Sequence, residues 1–164
     1  MGSRSRLASV TDIVHRQAGR VLGIDATGRL LRLRGVNPAD SEPPYWFTVG
    51  GGARPGESLA QAAARELGEE TGIAASASEL GEPIWQDVAE FGFEDRWFRQ
   101  EQDFFLLRLS PDRTAAAEVN TDDLDDEEAT VVLGHRWWTL AELESTDECL
   151  YPAELPNLLR EHSQ

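Results

Sequence analysis

The chain has 164 residues, of which 40% are apolar and 27% charged, and its formal net charge is −15. This composition predicts one folded domain and excludes wholesale disorder, while the single cysteine, Cys149, excludes a disulfide framework. All 15 basic residues are arginine, which excludes chemistry that depends on lysine. So acidic a chain is also a poor non-specific binder of nucleic acid.

The first half of the chain predicts a hairpin, a short strand and a helix. Strands within residues 10–35 flank the turn signal at 25–28, and residues 45–49 predict a strand that runs into three glycines. A serine N-cap and a glycine stop predict a helix over residues 58–72.

The second half predicts further strands and a helical end. Residues 79–93 predict a strand pair or one irregular strand, and residues 96–109 a long strand that ends before Pro111. An acidic loop over 115–130 then precedes a strand entering a helix at 134–143 and a C-terminal helix at 152–162. Strands and helices mixed in this way predict an α/β or α+β layered fold, one domain over 1–164 with its core at about 8–162.

The helix after the glycines carries acidic residues where a buried helix would be apolar. On a helical wheel, Glu66 and Glu70 fall within about 20° of Leu59, the centre of the apolar stripe, and Glu69 lies about 80° away. Like charges at this spacing repel each other and destabilise a helix. A divalent cation would turn the repulsion into coordination, whereas the alternative is a solvated acidic face.

The loop before this helix is close to a phosphate-binding P-loop. Gly51 and Gly56 have the required spacing, and the loop follows a strand and opens a helix. The position of the P-loop lysine holds Glu57, whose charge has the wrong sign to cradle phosphate. We therefore reject the P-loop interpretation.

Gly51, Glu57 and the run from Arg65 to Ile73 together match every fixed position of the Nudix box, so the chain resembles the Nudix hydrolases. The resemblance implies an α/β/α sandwich with a mixed β-sheet. It also implies an enzyme that uses Mg²⁺ or Mn²⁺ to hydrolyse a nucleoside diphosphate linked to another moiety, by attack of water on phosphorus.

The resemblance also assigns roles within the box. It implies that Glu66, Glu69 and Glu70 bind the metal ion, with the Gly50 carbonyl as a further ligand, and the alternative role of Glu66 is that of general base. Glu57 and Arg65 are expected to brace the loop against the helix, and a metal-ligand role for Glu57 stays open.

The acidic loop at 118–128 offers a further metal ligand. Nudix proteins often supply a glutamate from a loop in this region, and Glu128 and Glu127 are the candidates here. The alternative is a charged surface loop, which is the commoner role of such a run of acids.

Substrate binding is expected from residues around the box. Arg54, Arg96 and Arg99 are the candidate phosphate contacts. Trp46 and Trp97 are candidate platforms for base stacking, as are Trp85 and Phe98. Strand alternation predicts that one of Trp137 and Trp138 faces inward and the other outward.

The substrate itself stays open at this stage. Signatures of coenzyme A, dinucleoside polyphosphate and ADP-ribose hydrolases are not evident, which leaves nucleoside triphosphates and other diphosphate derivatives. We expect a small-molecule partner rather than nucleic acid or membrane, a cytoplasmic location, and a homodimer if the strand at 9–16 is exchanged between protomers. The alternative function is a catalytically weak nucleotide sensor, whereas an isomerase role is disfavoured because Cys149 lies far downstream of the box.

Overall fold

A long strand near the N-terminus organises the fold. The computed structural model describes residues 13–36, 43–93, 96–119 and 131–162. Its strands are β1 (Ile13–Ile24), β2 (Leu30–Val36), β3 (Tyr45–Phe47), β4 (Val49–Gly52), β5 (Trp85–Phe93), β6 (Arg96–Arg108), β7 (Val131–Trp138) and β8 (Cys149–Tyr151). Its helices are α1 (Leu59–Thr71), α2 (Ala77–Leu80), α3 (Pro111–Ala115), α4 (Leu140–Ser145) and α5 (Leu155–His162).

The strands form one mixed sheet with β1 inside it. β1 runs parallel to β6 over its whole length, and β5 pairs antiparallel with the far side of β6. On its other edge, residues 18–21 of β1 pair antiparallel with β4, and Ile24 pairs with Leu30 of β2. β2 pairs with β3 and β7, and β8 lies parallel to β3. The predicted hairpin is therefore confirmed at its turn, but β1 and β2 separate at once because β4 takes the place beside β1.

Helices cover both faces of this sheet. On one face, Ala63 and Leu67 of α1 are buried with strand residues such as Val21 and Phe105. On the opposite face, α4 and α5 bury leucines, including Leu158, against another set of strand residues. The α/β/α sandwich with a mixed sheet, predicted from the family resemblance, is confirmed.

Capping residues set the limits of α1, the helix of the box. The Ser58 hydroxyl accepts a hydrogen bond from the Gln61 N–H, and the Gln61 side chain accepts one from the Ser58 N–H, so the two form a capping box. The helix ends at Gly72, which adopts a left-handed conformation with φ of 74°. Both predicted ends of this helix are confirmed.

Some predicted elements need correction. Residues 79–93 contain the end of the short helix α2 and one strand, β5 (Trp85–Phe93), rather than a strand pair. Pro111 does follow the end of β6, but it also opens α3, because proline is well suited to the first turn of a helix. Strand β8 was not predicted. Only residues 115–119 of the predicted acidic loop lie within the described parts of the chain.

Trp137 and Trp138 correct the expectation that only one of them faces inward. They do point to opposite faces of β7, but Trp138 is buried against α4 and α5, and Trp137 packs against the α1 core. Alternation places only one side chain in a core when one face of the sheet is solvated. Here both faces are covered, so both rings contact apolar residues.

Candidate active site

Arg65 is the centre of the candidate site. Its Nε and Nη2 donate to the two carboxylate oxygens of Glu57 at 2.8 and 2.9 Å. Nη1 donates to Glu66 at 2.9 Å and to Glu69 at 3.3 Å, while Nη2 also donates to the Gly52 carbonyl at 2.9 Å. One guanidinium thus joins the loop, the end of β4 and two carboxylates of α1.

The bond between Arg65 and Glu57 has the geometry of a brace. It is bidentate. Glu57 also accepts a hydrogen bond of 2.9 Å from the Arg54 N–H, which links two parts of the loop. The side-chain hydrogen bond from Arg65 holds the pKa of Glu57 at about 2, although burial acts in the opposite direction. The same bond raises the pKa of Arg65. These contacts favour the bracing role for Glu57 over that of a metal ligand.

Glu70 contacts the strand rather than Arg65. Its Oε1 accepts a hydrogen bond of 3.0 Å from the Gly50 N–H. The Gly50 carbonyl in turn accepts one of 2.9 Å from Nη1 of Arg20 on β1. Both ends of the residue predicted to supply a carbonyl ligand are therefore held by charged side chains.

Gly50 and Gly51 of β4 allow side chains of α1 and the backbone of β1 to lie close to this strand. A Cβ on Gly51 would lie 2.7 Å from the carboxylate of Glu66, so any larger residue would displace that side chain. Gly50 has a φ of 144°, and a Cβ there would lie 2.2 Å from the Gly19 carbonyl oxygen. Glu66 is consequently only 7% exposed, and its carboxylate lies directly against the strand.

The two residues that position Arg20, namely Gln102 and Gln100, were not predicted from the sequence. Arg20 Nε donates to the Gln102 side-chain oxygen at 3.0 Å, and Gln100 donates to the same oxygen at 3.1 Å. Both glutamines are buried on β6, on the sheet face opposite α1. A sequence signal did exist, since alternate residues of a strand share one face, which places both glutamines between Phe98 and Phe104.

The predicted metal ligands lie on one helix but do not form a ready-made metal site. Among the described residues, no group of three or more His, Cys, Asp or Glu side chains is arranged to hold a metal ion. Arg65 donates hydrogen bonds to Glu66 and Glu69, and the Gly50 N–H donates one to Glu70. The donor set still has the hard oxygen chemistry that Mg²⁺ prefers, and Gly51 provides the space for Glu66 beside the strand.

The predicted phosphate contacts separate into two groups. Arg54 and Arg99 line one cleft of about 570 Å³ between the box loop and the first parts of β1 and β6. Arg96 does not line it, and its guanidinium lies over the Phe98 ring, 5.8 Å from the ring centroid. Residues three apart in a strand point to opposite faces, so Arg96 does not share a face with Arg99, and its role as a phosphate contact stays a prediction.

The two tryptophan candidates also differ. Trp97 is 43% exposed and shares its sheet face with Arg99. Trp46 is 7% exposed, packs edge-to-face on Trp138, and donates its indole N–H to Glu148 at 3.0 Å. The prediction of Trp46 as an exposed platform is therefore wrong, because its ring is part of the core beneath α4 and α5.

Other predictions fall on or near residues outside the described ranges. Glu127 and Glu128 lie in residues 120–130 and residues 9–12 precede β1, so their predicted roles stay predictions. Residues 13–16 pair with β6 of the same chain. Within the described ranges, no helix is long and apolar enough to span a membrane.

Comparisons with known proteins agree with this fold. The family model of the NUDIX domain matches residues 14–157. None of the curated proteins that were compared matches the sequence.

Solved structures resemble the chain at low sequence identity. A MutT protein from Methanosarcina mazei Go1 has a TM-score of 0.63 at 19% identity, over 93% of this chain and 95% of its own. An Ap4A hydrolase from C. elegans has a TM-score of 0.55 at 20% identity, over 90% of this chain and 95% of its own. A bifunctional NMN adenylyltransferase/ADP ribose pyrophosphatase from Francisella tularensis has a TM-score of 0.60 at 19% identity, over 99% of this chain and 45% of its own. With its complete box and the family match over most of its length, the chain belongs to the Nudix family of pyrophosphohydrolases.

Proposed function

We propose that this protein hydrolyses the diphosphate linkage of a nucleoside diphosphate derivative, by attack of water on phosphorus, with a divalent cation. The observation that carries the proposal is the arrangement around Arg65, which gathers Glu57, Glu66 and Glu69 at one end of β4. Membership of the Nudix family supports the chemical class, and the carboxylates around Arg65 support the proposed location of the reaction.

Glu66, Glu69 and Glu70 are the side chains that would hold Mg²⁺ or Mn²⁺, together with the Gly50 carbonyl. When bound, the cation would neutralise phosphate charge and lower the pKa of the attacking water. Arg65 contacts one oxygen of Glu66 and one of Glu69, so it orients both carboxylates from the loop side. The charge on these three glutamates would otherwise repel a phosphate, which is why a cation is needed.

The residues of the chain divide the remaining work. Arg65 and Glu57 keep the loop against α1, which fixes the distance between the loop and the carboxylates. Glu66 lies against Gly51 and is the better buried of the acids, so it is the candidate for the alternative role of general base. Arg54, Arg99 and Trp97 are proposed to bind the substrate beside them.

The first experiment is a phosphate-release screen with the full-length protein. The substrates are nucleoside triphosphates, oxidised purine triphosphates, ADP-ribose, nucleotide sugars and dinucleoside polyphosphates, each with Mg²⁺, Mn²⁺ or chelator. We expect turnover of at least one class and its loss on chelation. Nucleotide binding without turnover of any class would contradict the proposal and favour the sensor function.

Glu70→Gln tests the site itself. Removing one charged ligand should lower kcat by about 10³-fold, equivalent to several kcal/mol of transition-state stabilisation. Glu144→Gln is the matched control, since Glu144 is an exposed glutamate that pairs with Arg160 on α5. Equal activity of the two variants, at equal thermal stability, would show that the site is misassigned.

A further inference from the structure

The cleft between the box loop and the sheet has a charge opposite to that of the whole protein. Its lining residues are His15, Arg16, Gln17, residues 52–57, Arg99 and Glu101. Three of these are arginines, Arg16, Arg54 and Arg99, whereas the chain as a whole carries −15. Of its two glutamates, Glu57 is already neutralised by the bidentate contact with Arg65.

Two of the cleft arginines are held by weak contacts. Arg54 lies 3.6 Å from Glu69 and Arg99 lies 3.2 Å from Glu90, and all four side chains are substantially exposed. Exposed ion pairs of this kind contribute about 0–1 kcal/mol each. A phosphate group accepts stronger, charge-assisted hydrogen bonds from arginine, so exchanging these partners for a phosphate would be favourable.

The cleft is continuous with the carboxylates of the candidate active site. Glu57 and Gly52 form part of its wall, and Arg65 binds both of them. Arg54 connects the cleft to Glu69 by its ion pair. A diphosphate held near Glu66 and Glu69 would therefore have positively charged side chains within reach on the loop side.

We propose, resting on the proposed function, that this cleft binds the terminal phosphate groups of the substrate. The preferred substrates are then nucleosides with a chain of three or more phosphates that ends in a free phosphate. Derivatives whose far end is a neutral sugar would be poorer substrates, because they offer Arg54 and Arg99 no phosphate to replace their weak ion pairs with Glu69 and Glu90. The charge of the cleft thus selects among the diphosphate derivatives that the box alone accepts.

Direct binding provides a test that does not depend on turnover. Inorganic tripolyphosphate is titrated into the metal-free full-length protein by calorimetry, at constant ionic strength. The double variant Arg54→Gln/Arg99→Gln should weaken binding at least about 10-fold, as expected for losing charge-assisted hydrogen bonds. Arg160→Gln is the matched control, because Arg160 is an exposed arginine paired with Glu144 far along the chain on α5. Equal affinity in the double variant and the control would overturn the proposal.

Kinetics separate this proposal from the proposed function. The ratio of kcat/KM for a nucleoside triphosphate to kcat/KM for a nucleotide sugar should fall at least about 10-fold in the double variant. Equal losses for both substrates would overturn the cleft assignment while the hydrolase function stands. If neither substrate is turned over and Glu70→Gln changes nothing, the proposed function fails, and the tripolyphosphate titration still decides whether the cleft binds phosphate.

Discussion

Two arginines on opposite faces of the sheet show how differently the fold uses one side chain. Arg65 on α1 is partly exposed and donates to three carboxylates and one carbonyl. Arg32 on β2 is fully buried, and its Nη2 donates to the carbonyls of Trp46, at 2.9 Å, and Tyr151. Its Nε and Nη1 find no acceptor among the described residues.

The electrostatic consequences have opposite signs. The hydrogen bonds that Arg65 donates to Glu57 raise the pKa of Arg65, so the fold favours its charge. Burial lowers the pKa of Arg32 to about 9, so the fold disfavours its charge. The comparison teaches that Arg65 organises the charged groups of the proposed active site, whereas Arg32 ties β2, β3 and β8 together through backbone carbonyls. Substitutions at the two sites should accordingly separate activity from stability.

Arg65→Met should produce the largest effect. It leaves Glu57 and Glu66 without their guanidinium partner in a partly buried site, which is expected to lower the free energy of unfolding by about 3 kcal/mol. Displacement of the loop and the carboxylates should reduce kcat by about 100-fold. Urea unfolding and steady-state kinetics measure the two effects, with Arg160→Met as the surface control. Retention of full activity would show that Arg65 is not part of the active site.

Glu57→Gln should have the next largest effect, a loss of stability that depends on pH. Since Arg65 holds the pKa of Glu57 at about 2, below its ordinary value of 4.5, the ionised form stabilises the native state. That contribution is present above pH 4.5 and is lost as the pH falls toward 2. The difference in unfolding free energy between wild type and variant should be about 3 kcal/mol at pH 7 and about 1 kcal/mol at pH 3. A difference independent of pH would show that the charge of Glu57 is not what stabilises the loop.

Arg32→Met should have the smallest effect on both quantities. The substitution removes a buried charge but leaves the carbonyls of Trp46 and Tyr151 without this donor, and the two terms oppose each other. We expect the free energy of unfolding to change by less than about 1 kcal/mol and kcat by less than about twofold. A loss above about 3 kcal/mol would mean that the two carbonyl contacts outweigh the burial of charge. A large loss of kcat would show that Arg32 also supports activity, which would contradict the difference in role between the two arginines.

The box and its helix were predictable because their signals are local. Ser58 and Gly72 set the ends of α1 by capping, and the period of the helix placed Glu66 and Glu70 near the apolar stripe. The partnership of Arg65 with Glu57 follows from the family pattern. Arg20 and Gln102 were not found because they lie 82 positions apart in the chain and meet only when β1 and β6 pair in parallel.

The incorrect prediction for Trp46 and the separation of Arg96 from Arg99 also have specific causes. Trp46 was considered an exposed platform because the sequence does not show that α4 and α5 cover its face of the sheet. Arg96 and Arg99 were predicted together because they are close in the chain, but strand alternation sends the two side chains to opposite faces, and of the two Arg99 lines the cleft.

The sequence by itself determined the family, the ends of the box helix and the acidic character of its apolar face, because each depends on residues within a few turns of one another. Only the tertiary structure decided which arginines share a cleft, which tryptophan is exposed, and which side chains hold the Gly50 peptide. Those outcomes depend on strand pairing and on which faces of the sheet are covered. Such contacts join distant parts of the chain, and no local pattern encodes them.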